Sequence, residues 1–308
     1  MSLDLSILGS LVPIFIVIVA GYIFRRTGFP GDDFWSYAER ITYYVLFPAL
    51  LLQKTATASL DMGTIAPMAA ALYAAILAMA ALSFLFRPWR RYGAKAFTSF
   101  FQGSIRINTY VGLSAAFALL GDKGLTLAAI TVAVLIPLIN VLCVTVLVVF
   151  GNERERSWRS LLLAIVRNPL IVSCTAGIVL NVSGIGLHNG VSETLLLFGR
   201  ASLPLGLMAL GAGLDLGAAK GAGTLMTLNC ALKLIVMPFF MWTATEMLNV
   251  DATAGVIAVL FAALPGSPTS FILARQLGGD SLLMANIVTA QVVLSMVTLP
   301  FIMAMVIA

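Results

Sequence analysis

Runs of about 20 apolar residues recur along all 308 positions, and no long polar interval separates them. A helix of about that length crosses the roughly 30 Å hydrocarbon core of a bilayer and satisfies internally the backbone N–H and C=O groups that lipid leaves without partners. With 60% hydrophobic and 10% charged residues, the composition lies far outside that of a soluble domain. The sequence predicts an all-α integral membrane protein with no separate soluble domain. Met1 to Asp4 carry no basic n-region and no small-residue cleavage site follows the first run, so that run is expected to stay as a span.

Ten spans are predicted, near 5–24, 34–52, 65–86, 96–119, 125–150, 167–183, 191–212, 222–246, 252–276 and 282–307. The second and seventh carry charge, including Glu39, Arg40 and Arg200, and intramembrane charge normally faces the protein interior or a wet cavity. With ten spans, one side collects Arg25, Arg26, Arg87, Arg90, Arg91, Lys95, Arg154, Arg156, Arg159, Arg167, Lys220 and Arg275, the other only Lys54 and Lys123. The positive-inside rule makes the crowded side cytoplasmic and puts both termini on the non-cytoplasmic side of the cell membrane. The net charge of +5 is a topology signal and calls for no nucleic acid. Cys143, Cys174 and Cys230 lie in apolar segments and predict neither disulfide nor metal cluster.

The two halves of the chain echo each other. Pro13, Gly21, Gly28 and Pro48 recur at one constant offset as Pro169, Gly177, Gly184 and Pro204, and Gly121-Asp122 recurs as Gly279-Asp280. Residues 1–151 and 160–308 therefore read as two five-helix repeats. Because five is odd, the second enters from the opposite face, as in many secondary transporters.

Sliding "LPGSPTS" of the ninth span back onto the first repeat lands it on "RINTYVG", in the middle of the fourth. Pro265, Pro268 and Gly112 are the helix-breaking residues of these stretches. A helix from 96 to 107 rises roughly 15 Å, so both breaks fall near the midplane, where irregular backbone is tolerated only inside protein or around a wet cavity. Asn108 and Ser267 are candidate N-caps, and Pro268 suits a first helical position. Two half-helix N-termini facing each other would attract a carboxylate. The fold class expected is ten transmembrane helices in two inverted five-helix repeats with broken crossover helices in spans 4 and 9.

The ten spans, the outside termini, "RINTYVG" and "LPGSPTSFILARQLGGD" together resemble the auxin efflux carrier family, whose plant members are the PIN auxin exporters and which includes bacterial proteins described as malonate permeases. The resemblance covers essentially the whole chain. It implies a bile-acid-symporter-like fold, with spans 1, 2, 6 and 7 as scaffold and spans 3–5 and 8–10 as a transport domain in elevator-like motion. It also puts Asn108 on the family's crossover asparagine. The long cytoplasmic loop of many plant members is reduced here to "GNERERSWRSLLLAIVRN", so control through that loop does not carry over.

Substrate-binding candidates are Asn108, Thr109 and Arg106 at the first break, Gly266, Ser267, Pro268, Thr269 and Ser270 at the second, and Gln291 in the tenth span. Asn108 either donates to a carboxylate or only caps its helix, and Arg106 either neutralises an anion, complements the preceding half-helix or snorkels. Gln291, Asn286 and Asn140 are intramembrane amides for which helix–helix hydrogen bonding is the alternative. Glu39 is expected to pair with a cation such as Arg200 or Lys233 across the scaffold. Tyr43 and Tyr44 either line a cavity or pack.

None of the thirteen acidic residues falls within a break, which argues against a cation/proton antiporter. A lone loop histidine, His188, and no buried aspartate pair argue against an intramembrane enzyme. The function expected is a secondary carrier of a small mono- or dicarboxylate, auxin- or malonate-like, with no cofactor. A sodium-coupled symporter of bile-acid type is the alternative, coupling to Na⁺ or H⁺ being open. The apolar scaffold faces would permit a homodimer.

Overall fold

The computed structural model describes residues 5–59, 61–86, 89–150, 166–217 and 223–307. Every regular element among them is helical. The order is α1 (Leu5–Arg26), α2 (Asp32–Ile41) continuing through a π turn (Thr42–Leu46) into α3 (Phe47–Ala56), α4 (Met62–Leu85), α5 (Trp89–Tyr92), α6 (Ala94–Ile105), α7 (Thr109–Phe150), α8 (Pro169–Val182) and α9 (Asn189–Ala212). There follow α10 (Thr224–Ala231), continuing through a second π turn (Leu232–Val236) into α11 (Met237–Met247), then α12 (Ala252–Ala263), α13 (Thr269–Gln276) and α14 (Ser281–Ile307).

Six stretches are long and apolar enough to cross a membrane: Gly9–Arg26, Met62–Leu85, Ala94–Phe150, Asn189–Ala212, Thr224–Met247 and Ser281–Ile307. Pro169–Val182 and Ala252–Ala263 are apolar but shorter. The chain is a multi-pass helical membrane protein. Of the basic residues counted for orientation, Arg87, Arg154, Arg156, Arg159 and Lys220 lie outside the described residues, as does most of the shortened loop.

Local chemistry fixes the helix ends. Asp61, Asn168 and Asp251 each accept the first free N–H groups of the helix that follows, those of Gly63 and Thr64, of Leu170 and Ile171, and of Thr253 and Ala254. Between the predicted fourth and fifth spans Gly121 kinks α7, where φ 57° and ψ −144° form a backbone conformation that a residue with a Cβ resists.

The helices pack as two groups. In one, α1 lies along α9, α3 along α8, and α9 against α3. Close approach there depends on small residues. A Cβ on Gly21 of α1 would run into the backbone of Met208 on α9, and one on Gly177 of α8 into Thr55 and Leu52 of α3. In the other group, α4 packs on α11, α12 on α7, α11 and α14, and α6 on α7 and α14. Its interior holds Phe97, Phe100, Phe101 and Phe261, all fully buried.

Candidate functional site

Two helices break within the second group. The strand of backbone from Arg106 to Asn108 separates α6 from α7, and that from Leu264 to Pro268 separates α12 from α13. The breaks meet: Asn108 N–H donates to the Pro265 carbonyl over 2.8 Å, so each interruption supplies a partner that the other has lost. Asn108 is almost wholly buried. Its Oδ1 accepts from Tyr110 N (3.1 Å) and Val111 N (3.2 Å), and its Nδ2 points to the Gly266 carbonyl at 3.5 Å. Its side chain is thus an N-cap that also faces the opposite break.

Gln291 stands behind the second break and is fully buried. Its Oε1 accepts from Gly266 N over 2.7 Å, and its Nε2 donates to the Gly103 carbonyl at 3.0 Å and to Asn229 Oδ1 at 2.8 Å. Asn229 in turn donates to the Phe100 carbonyl (2.6 Å) and Ser104 Oγ (2.9 Å). This network ties α6, α10 and α14 to the break and uses both ends of the Gln291 amide. A Cβ at Gly266 would come within 2.8 Å of Gln291 Oε1, so the glycine admits that amide. Asn229 was not foreseen, and its only signal was an amide within an apolar run.

Two expectations of local structure are corrected. Gly112 lies inside α7 and breaks nothing; it clears space for Leu264 and Phe261, whose side-chain atoms would lie 2.7 and 3.1 Å from a Cβ there. Ser267 does not cap α13, because its hydroxyl bonds the Thr269 hydroxyl at 2.8 Å, and the helix opens instead on bonds from Ser270 N to Ser267 O and from Phe271 N to Pro268 O.

In front of the breaks lie two adjoining cavities. The inner one, about 40 Å³, is lined by Arg106, Thr109, Tyr110, Asn140, Asn168, Ser267 and Thr269 among others. The outer vestibule, about 430 Å³, shares Tyr43, Arg106, Asn140, Asn168 and Thr269, and adds Glu39, Arg40, Tyr44 and Gln276 among others. Tyr110 is held by its ring, stacked on Phe47 with centroids 4.8 Å apart, and its buried hydroxyl has no hydrogen-bond partner among the described residues. Among the described residues Arg106 Nη2 makes only long bonds, to Asn140 Oδ1 at 3.3 Å and Thr269 Oγ1 at 3.5 Å, while Nη1 is buried with no hydrogen-bond partner. The Cys143 thiol, a weak acceptor, lies within reach of the guanidinium.

Of the candidates drawn from the sequence, Arg106, Thr109, Ser267, Thr269 and Asn140 converge on these cavities, with Glu39 at the outer one. Asn108, Gly266, Pro268, Ser270 and Gln291 are not among the lining residues. Asn286 is half-buried on α14. Arg200 lies elsewhere, in an apolar cavity of about 470 Å³ with Asp122, whose carboxylate pairs with Lys54 at 2.6 Å. Glu39 forms no ion pair with it or with Lys233, which is buried and unpartnered, so the expected scaffold pair is absent among the described residues. Asn168, Tyr110 and Gln276 at the cavities were missed: the first reads as a helix cap, the second as packing, the third as an exposed helix end.

A helical multi-pass protein with two broken helices bonded to each other, and a polar cavity in front of them, is built as a membrane transporter. Residues 151–303, about half of the chain, match the model of the family described as membrane transport protein. The chain belongs to that family, which is that of the auxin efflux carriers. No curated protein matches it.

Proposed function

We propose that the protein is a secondary carrier for a small organic anion, working by alternating access between two inverted five-helix repeats that cross at the paired breaks. The packing supports the repeat: α1 against α9 and α3 against α8 are equivalent pairs if the halves are related, and Gly21 and Gly177, the matched glycines, sit at them. On this reading α1–α3, α8 and α9 form a scaffold, and α4–α7 with α10–α14 form a body that moves against it like an elevator. The vestibule, whose rim holds Arg40 and Gln276, then opens on the arginine-rich side, and the molecule faces inward.

The observation that carries the anion is Arg106 Nη1, a buried cationic donor beside a cavity, with no hydrogen-bond partner among the described residues. A buried guanidinium N–H left unpaired costs free energy that an entering carboxylate recovers, and an arginine–carboxylate bond is among the strong ones. The half-helix ends have less to offer. At α7 the N–H groups of Tyr110 and Val111 go to Asn108 Oδ1 and that of Gly112 to its carbonyl, and at α13 those of Ser270 and Phe271 are also used. Ion pairing at Arg106, helped by the Tyr110 hydroxyl and Thr269, is therefore favoured over dipole capture.

The test is binding of malonate and acetate to detergent-purified protein, read as ligand-induced thermal stabilisation with and without sodium. Arg106→Gln is expected to weaken both roughly 10- to 150-fold, the equivalent of about 1.5 to 3 kcal/mol for a hydrogen bond to a charged group. Asn108→Ala is expected to lower stability by about 1 kcal/mol through the lost cap and to change affinity less. The reverse ranking would return the anion to the half-helix ends.

A further inference from the structure

The vestibule is not uniformly cationic. Glu39 lines it from α2, is partly buried and has no ion-pair partner among the described residues, and Tyr43 and Arg106 line the same space. A carboxylate at the mouth of an anion site repels a plain anion. Its position is hard to reconcile with a solute carrying negative charge at both ends, and it suits one that is negative at one end and positive at the other.

Resting on the anion reading above, we propose that Glu39 is a second recognition group, so that the preferred solute is a small zwitterion, with its carboxylate at Arg106 and a protonated nitrogen at Glu39. Arg40 also lines the vestibule, but it is exposed, and a solvated charge is screened where the partly buried Glu39 is not. The inner cavity, at about 40 Å³, holds little more than a carboxylate, whereas the vestibule, at about 430 Å³, takes the remainder of an amino-acid-sized solute. Tyr43 lines both spaces. Glu39 thereby sets specificity, and Arg106 sets affinity for the carboxylate that all such solutes share.

Three probes of similar length separate the possibilities: butyrate, γ-aminobutyrate and succinate, with binding to purified protein measured by calorimetry. Wild-type protein is expected to bind γ-aminobutyrate at least about tenfold more tightly than either other probe, the effect of one added charge-assisted bond. Glu39→Gln should abolish that preference while leaving butyrate unchanged or tighter, and Glu39→Asp should restore part of it. A preference that survives Glu39→Gln overturns the proposal, as does tightest binding by succinate that Arg40→Gln weakens, which would put a second carboxylate at Arg40. Arg106→Gln should weaken all three. If it does, and γ-aminobutyrate is still not preferred by the wild type, the role of Glu39 falls and the anion site stands; if it changes none of them, both fall.

Discussion

Replacing Gln291 with alanine separates a strut from a ligand-binding amide. The substitution removes three hydrogen bonds at once, to Gly266 N, the Gly103 carbonyl and Asn229 Oδ1, and leaves all three groups buried. The Gly266 N–H matters most, since a buried donor with nothing to bond costs about 1 to 3 kcal/mol, whereas a carbonyl with two lone pairs tolerates a lost partner better. Adding a smaller contribution from the two acceptors gives a destabilisation of about 2 to 4 kcal/mol. In a protein of this size that lowers the melting temperature by roughly 3 to 6 °C. Melting curves of the detergent-purified protein, with and without malonate, provide both readouts. A strut predicts a lower melting temperature in the absence of ligand, with the malonate-induced rise largely retained where the break still closes. An unchanged melting temperature with the malonate effect abolished would refute the network as a support and make Gln291 a contact of the solute.

Two further outcomes follow from charges outside the core. The Asp61 carboxylate accepts bonds from the Thr64 hydroxyl and from the Gly63 and Thr64 amides, which hold its pKa below the ordinary carboxylate value. The stability it confers on the start of α4 is therefore complete above about pH 4 and lost as pH falls through the lower folded value, so the melting difference between wild type and Asp61→Ala should be present at pH 7 and shrink in acid. For orientation, a cysteine placed at Arg91 is expected to be shielded from an impermeant thiol reagent in intact cells, and one at His188 to react; reversed labelling would invert the assignment of sides.

The fold was legible in the sequence because its determinants are local and repeated. Helix-length apolar runs, caps such as Asp61, Asn168 and Asp251, and breaks at "RIN" and "LPGSP" each act over a few residues, and the described residues are helical in each predicted span, six stretches being long and apolar enough to cross a membrane. Short range is also where the reading went astray. Glycine at position 112 looked like a breaker because glycine is a poor helix former, yet its role is set by Phe261 and Leu264, distant in sequence, and nothing in residues 106–112 announces them. Likewise Ser267 has the chemistry of a cap, but the neighbouring Thr269 hydroxyl takes its bond.

The site was legible in composition and illegible in direction. A broken helix marks where polar groups gather, but not which of them turn toward the cavity, because that depends on what the opposite break presents. Asn108 and Gln291 are the polar residues one would choose for a carboxylate, and the structure uses both to hold the breaks, the first by capping α7 and the second by taking the Gly266 N–H. Arg106, equally plausible on the sequence as a snorkelling or dipole-compensating residue, lines the cavity and keeps a donor with no hydrogen-bond partner among the described residues. Burial makes the difference. Backbone groups freed by a break in an apolar interior must find partners before any ligand arrives, so nearby amides are consumed by the scaffold of the break itself. A guanidinium has five N–H donors, more than the break needs, and the surplus can face the solute. In a chain of this kind the residue to test first at a broken helix is the one with more hydrogen-bonding capacity than the break consumes.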